Sequence, residues 1–262
     1  FNPLIIHVAS YEMAREYGFF NEAANILAQK YWPGPLTIIL KKRKSDVVVS
    51  ATAKLETIAL RCPSNIIARK LITELNRPIA APSANKSGKL TCTSPRDVFA
   101  KLKNSIDAIL DGGDAELGLE STVVDCSLER PSILRLGNIT NDEINSCLDY
   151  KIAPRLQTEK QIKSPGQLLK HYSPEAELIL NQNEPRKGDI FLSFGPHPTG
   201  IDGLTLTESK NLVEAAKNLF TSLHILDRLS QERGGPPIKV APIPSNGVGA
   251  AINDRLLRAA EK

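Results

Sequence analysis

Residues whose side chains could do chemistry gather in the stretch Pro78–Gly88, where a short apolar run breaks into a loop of small and polar residues. Ser83, Asn85 and Lys86 supply a hydroxyl, an amide and a cation, and their small neighbours let backbone N–H groups approach a ligand closely. The loop therefore suits an anion such as a phosphate. The same composition is also typical of an ordinary exit from a strand into a turn, so the other motifs must decide.

Four further segments combine apolar runs with hydroxyls and cations, namely Tyr31–Leu40, Leu60–Pro63, Gly118–Asp125 and Ile133–Gly137. Their polar groups are mainly those of Arg, Ser and Thr, with few paired carboxylates. Such groups stabilise charge on an anion rather than move protons. Arg61 could hold a carboxylate through two parallel hydrogen bonds, or it could simply end a strand at the surface.

The order of these five motifs resembles the YrdC-like threonylcarbamoyl-AMP synthases, and the resemblance covers essentially the whole chain. Ser164–Gln167 and His171–Pro174 resemble the linker of the two-domain form of that family. The resemblance implies a nucleotidyltransferase that converts L-threonine, bicarbonate and ATP, with Mg²⁺ accompanying ATP, into threonylcarbamoyl-AMP and pyrophosphate. The product would pass to a transferase that makes threonylcarbamoyladenosine in tRNA.

The resemblance also implies which side chains contact the substrates. The expected threonine contacts are His7, Arg61 and Ser121. The expected ATP contacts are Thr37, Ser83, Asn85, Arg135 and Tyr172. Attack on the α-phosphate builds charge on phosphate oxygens, so cations and hydrogen-bond donors are expected to act without a protein acid, base or metal ligand.

Three of these residues have ordinary structural alternatives. His7 could be a core histidine at the end of an apolar strand, and Ser121 could be a plain strand hydroxyl. Tyr172 could be an apolar anchor of the linker. In the resembling family the linker crosses the active site, so Tyr172 would instead belong to a lid that excludes water from the reactive adenylate.

Composition places the 262-residue chain among ordinary globular proteins, because 41% of its residues are hydrophobic and 24% are charged. Its apolar runs are shorter than the roughly 20 residues that a membrane-spanning helix needs, so no membrane association is expected. The net charge of +4 favours anionic substrates. Four widely spaced cysteines indicate reduced thiols and a cytoplasmic location, and they argue against structural zinc.

Apolar patterning predicts mixed α and β structure in the first part of the chain. Strands are expected at 4–8, 36–40, 57–60, 107–110, 121–124 and 132–136. Helices are expected after the capping residues Asn21, Ser64, Ser94 and Thr140. The resemblance implies that these elements form a YrdC-like twisted sheet with flanking helices.

The last part of the chain alternates strands with a long helix through Leu212–Leu226, which is typical of a small Rossmann-like parallel sheet. The expected strands are 176–180, 189–194 and 239–243. The predicted organisation is a catalytic domain over 1–148, a linker over 149–174 and a C-terminal α/β domain over 175–262. The chain opens at Phe1 without an initiator Met, and the resemblance implies that an N-terminal part of the catalytic domain, with its Lys-x-Arg motif, is missing.

Two alternatives from other classes stay open. One is an RNA-binding module that binds tRNA or double-stranded RNA without catalysis, to which the basic cluster Lys41–Lys44 could contribute. An aromatic content of 5% leaves few rings for base stacking. The other alternative is a regulatory subunit that only binds nucleotide.

Overall fold

The computed structural model describes residues 3–43, 47, 49–152, 154 and 171–261, and these residues form two compact units. The first unit comprises the described residues within 1–82 and 120–168, and the second comprises those within 83–119 and 169–262. The elements in chain order are β1 (Ile5–His7), α1 (Tyr11–Tyr17), β2 (Gly18–Phe19), α2 (Glu22–Tyr31), β3 (Leu36–Lys42), β4 (Thr57–Arg61), α3 (Ile66–Leu75), β5 (Ile79–Ala81), α4 (Pro95–Leu102), β6 (Thr122–Asp125), β7 (Ser132–Arg135), α5 (Asn141–Asn145), β8 (Leu178–Ile179), β9 (Ile190–Ser193), β10 (Asp202–Thr205), α6 (Leu212–Glu232), β11 (Ile238–Val240) and α7 (Gly249–Ala260).

The first unit is built on a 7-stranded mixed sheet in the order β5-β1-β4-β3-β6-β7, with β2 paired to β3. β1 is parallel to β4 and β3 is parallel to β6, whereas the pairs β3–β4, β6–β7 and β1–β5 are antiparallel. The carboxyl ends of β1, β4 and β7 therefore meet the amino ends of β3 and β6 at one edge. The prediction of a mixed α/β sheet is confirmed.

The two faces of this sheet carry different side chains because residues alternate along each strand. Leu36, Ile38 and Leu40 of β3 belong to the large buried core that also includes residues of α1 and α2. Ile39 lies on the opposite face in a much smaller cluster with Val123. Polar residues at the strand ends can therefore share the second face without entering the main core.

Helix caps account for most of the predicted helix starts. Asn21 caps α2 by accepting from Ala24 N at 3.0 Å, and both Ser94 and Thr140 form complete capping boxes. The prediction that Ser64 caps α3 is wrong by one residue. Asn65 is the cap, because its side chain accepts from Ala68 N at 3.0 Å.

The prediction of a strand at 107–110 is wrong. These residues adopt no regular structure and pair with no strand, and 61% of Leu110 is exposed. A turn follows, in which Asp111 Oδ1 accepts from Gly113 N at 2.9 Å. An apolar run without a partner strand cannot satisfy its backbone groups as a strand does.

The second unit contains a 4-stranded sheet in the order β10-β9-β11-β8 in which all strand pairs are parallel, as predicted. Strand β10 escaped sequence analysis because Gly203 weakens its apolar pattern. The glycine is required, since its φ is 147° and a Cβ there would collide with the main-chain oxygen of Phe191 on the paired strand. Within the described residues, no helix combines the length and apolarity needed to span a membrane.

Residues 83–119 join the second unit through close contacts with α6. Gly118 has no room for a Cβ, because that atom would meet the main-chain oxygens of Ala216 and Lys217. Thr93 Oγ1 lies 2.9 Å from Thr221 Oγ1 in the same helix. The domain boundaries at 148 and 174 stay a prediction, and the linker motif Ser164–Gln167 lies outside the described residues.

Candidate active site

His7 and Arg61 lie side by side where the parallel strands β1 and β4 end. They are direct partners in the register of the two strands. Because side chains alternate, His7 shares the face of Ile5 and Arg61 shares the face of Ala59, and those two residues belong to the small second cluster. Both side chains therefore lie on the face opposite the main core.

Thr37, near the start of β3, lies at the same edge and on the same face. In the antiparallel register of β3 and β4, Ile38 pairs with Leu60, so the next residues along the two strands, Thr37 and Arg61, stand opposite each other. Thr37 is fully buried, with 0% of its surface exposed. A fully buried hydroxyl needs a hydrogen-bond partner, and Ser121 provides it.

Ser121 connects Thr37 with Arg135 through a buried hydrogen-bond cluster. Ser121 Oγ lies 2.7 Å from Thr37 Oγ1 and accepts from Arg135 Nη2 at 2.9 Å. Arg135 Nε also donates to the main-chain oxygen of Ser121 at 3.0 Å. Thus β3, the segment before β6 and the end of β7 converge at one point, and we call His7, Thr37, Arg61, Ser121 and Arg135 the polar edge.

The turn between α2 and β3 orients the guanidinium of Arg61. The main-chain oxygen of Gly34 accepts from Arg61 Nε at 3.2 Å, and Gly34 N donates to the main-chain oxygen of Cys62 at 2.8 Å. Trp32 Nε1 fastens the turn by donating to the main-chain oxygen of Leu36 at 2.7 Å. With Nε engaged, the two terminal nitrogens of Arg61 are the ones left to face a ligand.

The charges at the polar edge favour an anion. Burial, together with the charge of Arg135, lowers the pKa of Arg61 to about 10, so Arg61 stays protonated at neutral pH. Burial and the charge of Arg61 lower the pKa of His7 to about 4, so His7 is neutral there. Arg61 forms no ion pair with an acidic side chain of the described residues. A bound anion would relieve the repulsion between the two guanidinium groups.

Gly137 is a supporting residue whose role sequence analysis missed, although it closes the Ile133–Gly137 motif. A Cβ at this position would lie 2.5 Å from the main-chain oxygen of Glu120 and 2.7 Å from the carbonyl carbon of Ser121. Only glycine lets the chain after β7 approach the backbone that carries Ser121. A glycine two residues after a site arginine is the signal that could have indicated this contact.

The remaining predicted residues, Ser83, Asn85 and Tyr172, belong to the second unit. Asn85 Nδ2 donates to two main-chain oxygens of its own loop, and the loop is joined to the segment of Tyr172 because Ser173 N donates to the main-chain oxygen of Gly88 at 2.9 Å. The predicted nucleotide loop and the described end of the predicted linker are thus held together. Their contact with ATP stays a prediction.

Tyr172 is buried, with 1% of its surface exposed. Its ring lies 5.4 Å from that of Phe220, and the guanidinium carbon of the buried Arg255 lies 5.4 Å from the ring centre. A φ of 65° holds its backbone in a conformation that non-glycine residues rarely adopt. In this structure the ring therefore packs within the second unit, and the contact of Tyr172 with ATP stays a prediction.

Guanidinium and hydroxyl groups, rather than metal ligands, make up most of the polar edge. Across the parts of the chain that the structure describes, no group of three or more His, Cys, Asp or Glu side chains is arranged to hold a metal ion. The donors at the polar edge are guanidinium and hydroxyl groups, which suit carboxylate and phosphate oxygens.

A mixed sheet with a cationic edge, followed by a parallel sheet, defines a two-part α/β protein, and family models place the chain in one class. Residues 1–137 match the Sua5_yciO_yrdC model, described as telomere recombination. Residues 139–261 match the model for the C-terminal domain of threonylcarbamoyl-AMP synthase. The chain belongs to the threonylcarbamoyl-AMP synthase family, and the prediction of a nucleotidyltransferase-type enzyme is confirmed.

Similar proteins cover nearly the whole chain. It is 36% identical to the threonylcarbamoyl-AMP synthase of Pyrococcus abyssi, over 98% of this chain and 80% of that protein. It is 34% identical to the enzyme of Bacillus subtilis, over 99% of this chain and 79% of that protein. The crystal structure of P. abyssi Sua5 complexed with L-threonine matches with a TM-score of 0.87 and 35% identity, over 99% of this chain and 80% of that chain. The predicted fold class is confirmed.

Proposed function

We propose that this chain catalyses the synthesis of L-threonylcarbamoyl-AMP and pyrophosphate from L-threonine, bicarbonate and ATP. The observation that carries the proposal is the polar edge, where Arg61 and the hydrogen-bonded cluster of Thr37, Ser121 and Arg135 meet on one face of the sheet. The reaction needs a carboxylate and a phosphate beside each other. Two guanidinium groups within electrostatic reach of one another supply one cation for each.

L-Threonine is assigned to Arg61, Ser121 and His7. The terminal nitrogens of Arg61 would hold the carboxylate of the amino acid, and Ser121 would contact its polar groups. His7 is neutral at pH 7, so it can line this pocket without adding a third positive charge beside Arg61. The complex of P. abyssi Sua5 with L-threonine supports an amino-acid site in this fold.

ATP is assigned to Thr37, Ser83, Asn85, Arg135 and Tyr172, and Mg²⁺ would accompany it to neutralise charge on the phosphates. The amino group of threonine and bicarbonate would first condense to a carbamate with loss of water. Arg135 would then stabilise charge that develops on phosphate oxygens as a carbamate oxygen attacks the α-phosphate and pyrophosphate departs. This assignment requires no protein acid or base, because attack and departure both place negative charge on oxygens that cations and N–H or O–H donors stabilise.

The segment around Tyr172 is proposed to act as a lid at the end of a linker over 149–174, between a catalytic domain at 1–148 and a C-terminal domain at 175–262. A second P. abyssi Sua5 structure, with a TM-score of 0.84, carries alanine in place of a His and a Tyr next to each other. His171–Tyr172 is the single His–Tyr pair in this chain. Closure of such a lid would protect the adenylate from water.

The product is proposed to pass, in the cytoplasm, to the transferase that modifies tRNA. Binding of tRNA or double-stranded RNA by the chain itself also stays a proposal. In the basic cluster, Lys42 Nζ already donates to the main-chain oxygen of Leu55 at 3.1 Å, and the guanidinium carbon of Arg43 lies 4.5 Å from the ring centre of Phe19. These contacts leave Lys41 as the described cation of the cluster whose side chain makes no hydrogen bond, ion pair or ring contact with another described residue.

Exchange of labelled pyrophosphate into ATP tests the proposal. A synthase catalyses exchange that requires both L-threonine and bicarbonate. A binding module that only holds RNA or nucleotide catalyses none. Exchange that proceeds equally without threonine would contradict the proposed substrate.

A further inference from the structure

The side-chain amide of Asn85 has a fixed orientation. Its Nδ2 donates to the main-chain oxygen of Lys86 at 2.8 Å and to that of Lys89 at 2.9 Å, so both of its hydrogens are engaged. The opposite orientation of the amide would place its oxygen against two carbonyl oxygens, which repel it. The atom that Asn85 offers to a ligand is therefore the acceptor Oδ1.

This oxygen is unsatisfied. Asn85 Oδ1 is buried and makes no hydrogen bond with any described residue. Most buried side-chain oxygens in proteins have a partner, because an acceptor removed from water otherwise loses its hydrogen bond. An unsatisfied acceptor of this kind can bind an electron-poor group of a ligand.

The loop that carries Asn85 is held in place by its own backbone and by the segment after Tyr172. Asn85 N donates to the main-chain oxygen of Ser83 at 2.9 Å, and Lys89 N donates to that of Lys86 at 3.0 Å. Lys89 also forms an ion pair with Glu175 at 2.7 Å. Because these contacts fix the loop, Oδ1 is oriented before any ligand binds.

We propose that Asn85 Oδ1 ligates the magnesium ion of bound Mg–ATP, directly or through one water, an inference that rests on the proposed function. A phosphate oxygen is an acceptor and cannot pair with an amide oxygen, so direct contact with the triphosphate is excluded for this atom. The electron-poor group that accompanies a triphosphate is its divalent cation. Mg²⁺ takes oxygen ligands and is usually held by one or two protein atoms together with phosphates and waters.

Binding of ATP with and without the metal tests this role. The Asn85→Ala variant should weaken the Kd for Mg–ATP by about tenfold or more, as loss of groups around a bound metal does. Its Kd for ATP in excess chelator should stay within about twofold of wild type, because the missing oxygen makes no contact with the nucleotide itself. Calorimetric titration of the full chain gives both values, and Ser87→Ala in the same loop is the matched control.

An equal loss with and without magnesium would overturn the metal role, and 2′-deoxy-ATP and 3′-deoxy-ATP would then show whether a sugar hydroxyl is the partner. The Asn85→Asp variant keeps an oxygen ligand but adds a negative charge. It should therefore bind metal-free ATP more weakly than Asn85→Ala does and Mg–ATP more tightly. If the wild-type chain binds no ATP in either condition, the proposed function itself fails.

Discussion

Each unit contains a cluster of side chains with hydroxyl and nitrogen groups near strand ends. The two clusters differ in whether their polar atoms all find partners within the protein. In the second unit, Ser193 Oγ lies 3.1 Å from His197 Nδ1, and His197 Nε2 lies 3.1 Å from the main-chain oxygen of Ile201. Thr205 Oγ1 donates to the main-chain oxygen of Gly195 at 2.6 Å. This cluster closes on backbone oxygens, and none of its hydrogen bonds involves the side chain of a described Arg or Lys.

In the polar edge of the first unit, by contrast, polar groups are left that could bind a ligand. Ser121 is held between another hydroxyl and a guanidinium, and His7 Nδ1 is buried without a hydrogen bond to any described residue. Arg61 keeps its charge although burial and Arg135 lower its pKa. A cluster that satisfies itself stabilises a fold, whereas a buried cationic cluster with open positions is arranged for a ligand.

Replacing Arg135 should give the largest effect on activity. Arg135→Ala removes a buried charge and both hydrogen bonds to Ser121, so pyrophosphate exchange should fall by about 100-fold or more. The matched control is Arg233→Ala in the second unit, which breaks an exposed ion pair with Asp202 and should change exchange by less than about twofold. Comparable losses in the two variants would show that Arg135 matters no more to the reaction than an exposed arginine of the second unit.

The stability of the chain in acid should depend on His7. The folded pKa of His7, about 4, lies below the unfolded value of 6.5, so the unfolded state takes up the proton first. The free energy of unfolding should fall by up to about 3 kcal/mol as pH drops from 6.5 to 4, and this contribution is absent above 6.5. Urea unfolding across that range should show a smaller fall for His7→Gln. An unchanged pH dependence would mean that His7 is not held neutral.

Replacing Arg61 should affect the KM for L-threonine much more than the KM for ATP. Arg61→Ala should raise the KM for L-threonine by about 10- to 30-fold, because a charged hydrogen-bonded pair contributes roughly 2 kcal/mol. The KM for ATP should change by less than about twofold. For Arg61→Lys the KM for L-threonine should lie between those of wild type and Arg61→Ala, since lysine keeps the charge but lacks the paired donors. Equal increases in both KM values would argue against a carboxylate at this residue.

The smallest effect is expected in the closed cluster. Ser193→Ala removes a buried hydroxyl that contacts His197, so the free energy of unfolding should fall by about 1 kcal/mol. Exchange activity should stay within about twofold of wild type. A loss of activity beyond the loss of stability would show that the closed cluster also serves the reaction.

Local features of the fold were predictable because they rest on residues close in sequence. The caps at Asn21, Ser94 and Thr140 and the apolar strand at 36–40 each follow from a few neighbouring residues. The prediction of a strand at 107–110 failed because this apolar run has no partner strand, and strand pairing depends on residues distant in sequence. The grouping of residues 83–119 with the second unit depends on contacts such as Gly118 with Ala216, which no local pattern reveals.

The residue types at the polar edge were predictable, but their arrangement was not. Family motifs indicated Arg61, Ser121 and Arg135 one at a time. Their convergence depends on the register of β1, β4, β3 and β6 and on the absence of a side chain at Gly137. The orientation of the Asn85 amide, which leaves Oδ1 as its unsatisfied acceptor, likewise depends on two contacts with the backbone that only the folded loop creates.

The central claim is that Arg61 holds the carboxylate of L-threonine at the polar edge. Calorimetric titration of wild type and Arg61→Ala with L-threonine and with L-threoninamide, which lacks the carboxylate charge, tests it directly. Wild type should prefer threonine over the amide by about tenfold or more, and Arg61→Ala should lose most of that preference. The same preference in both proteins would contradict the account.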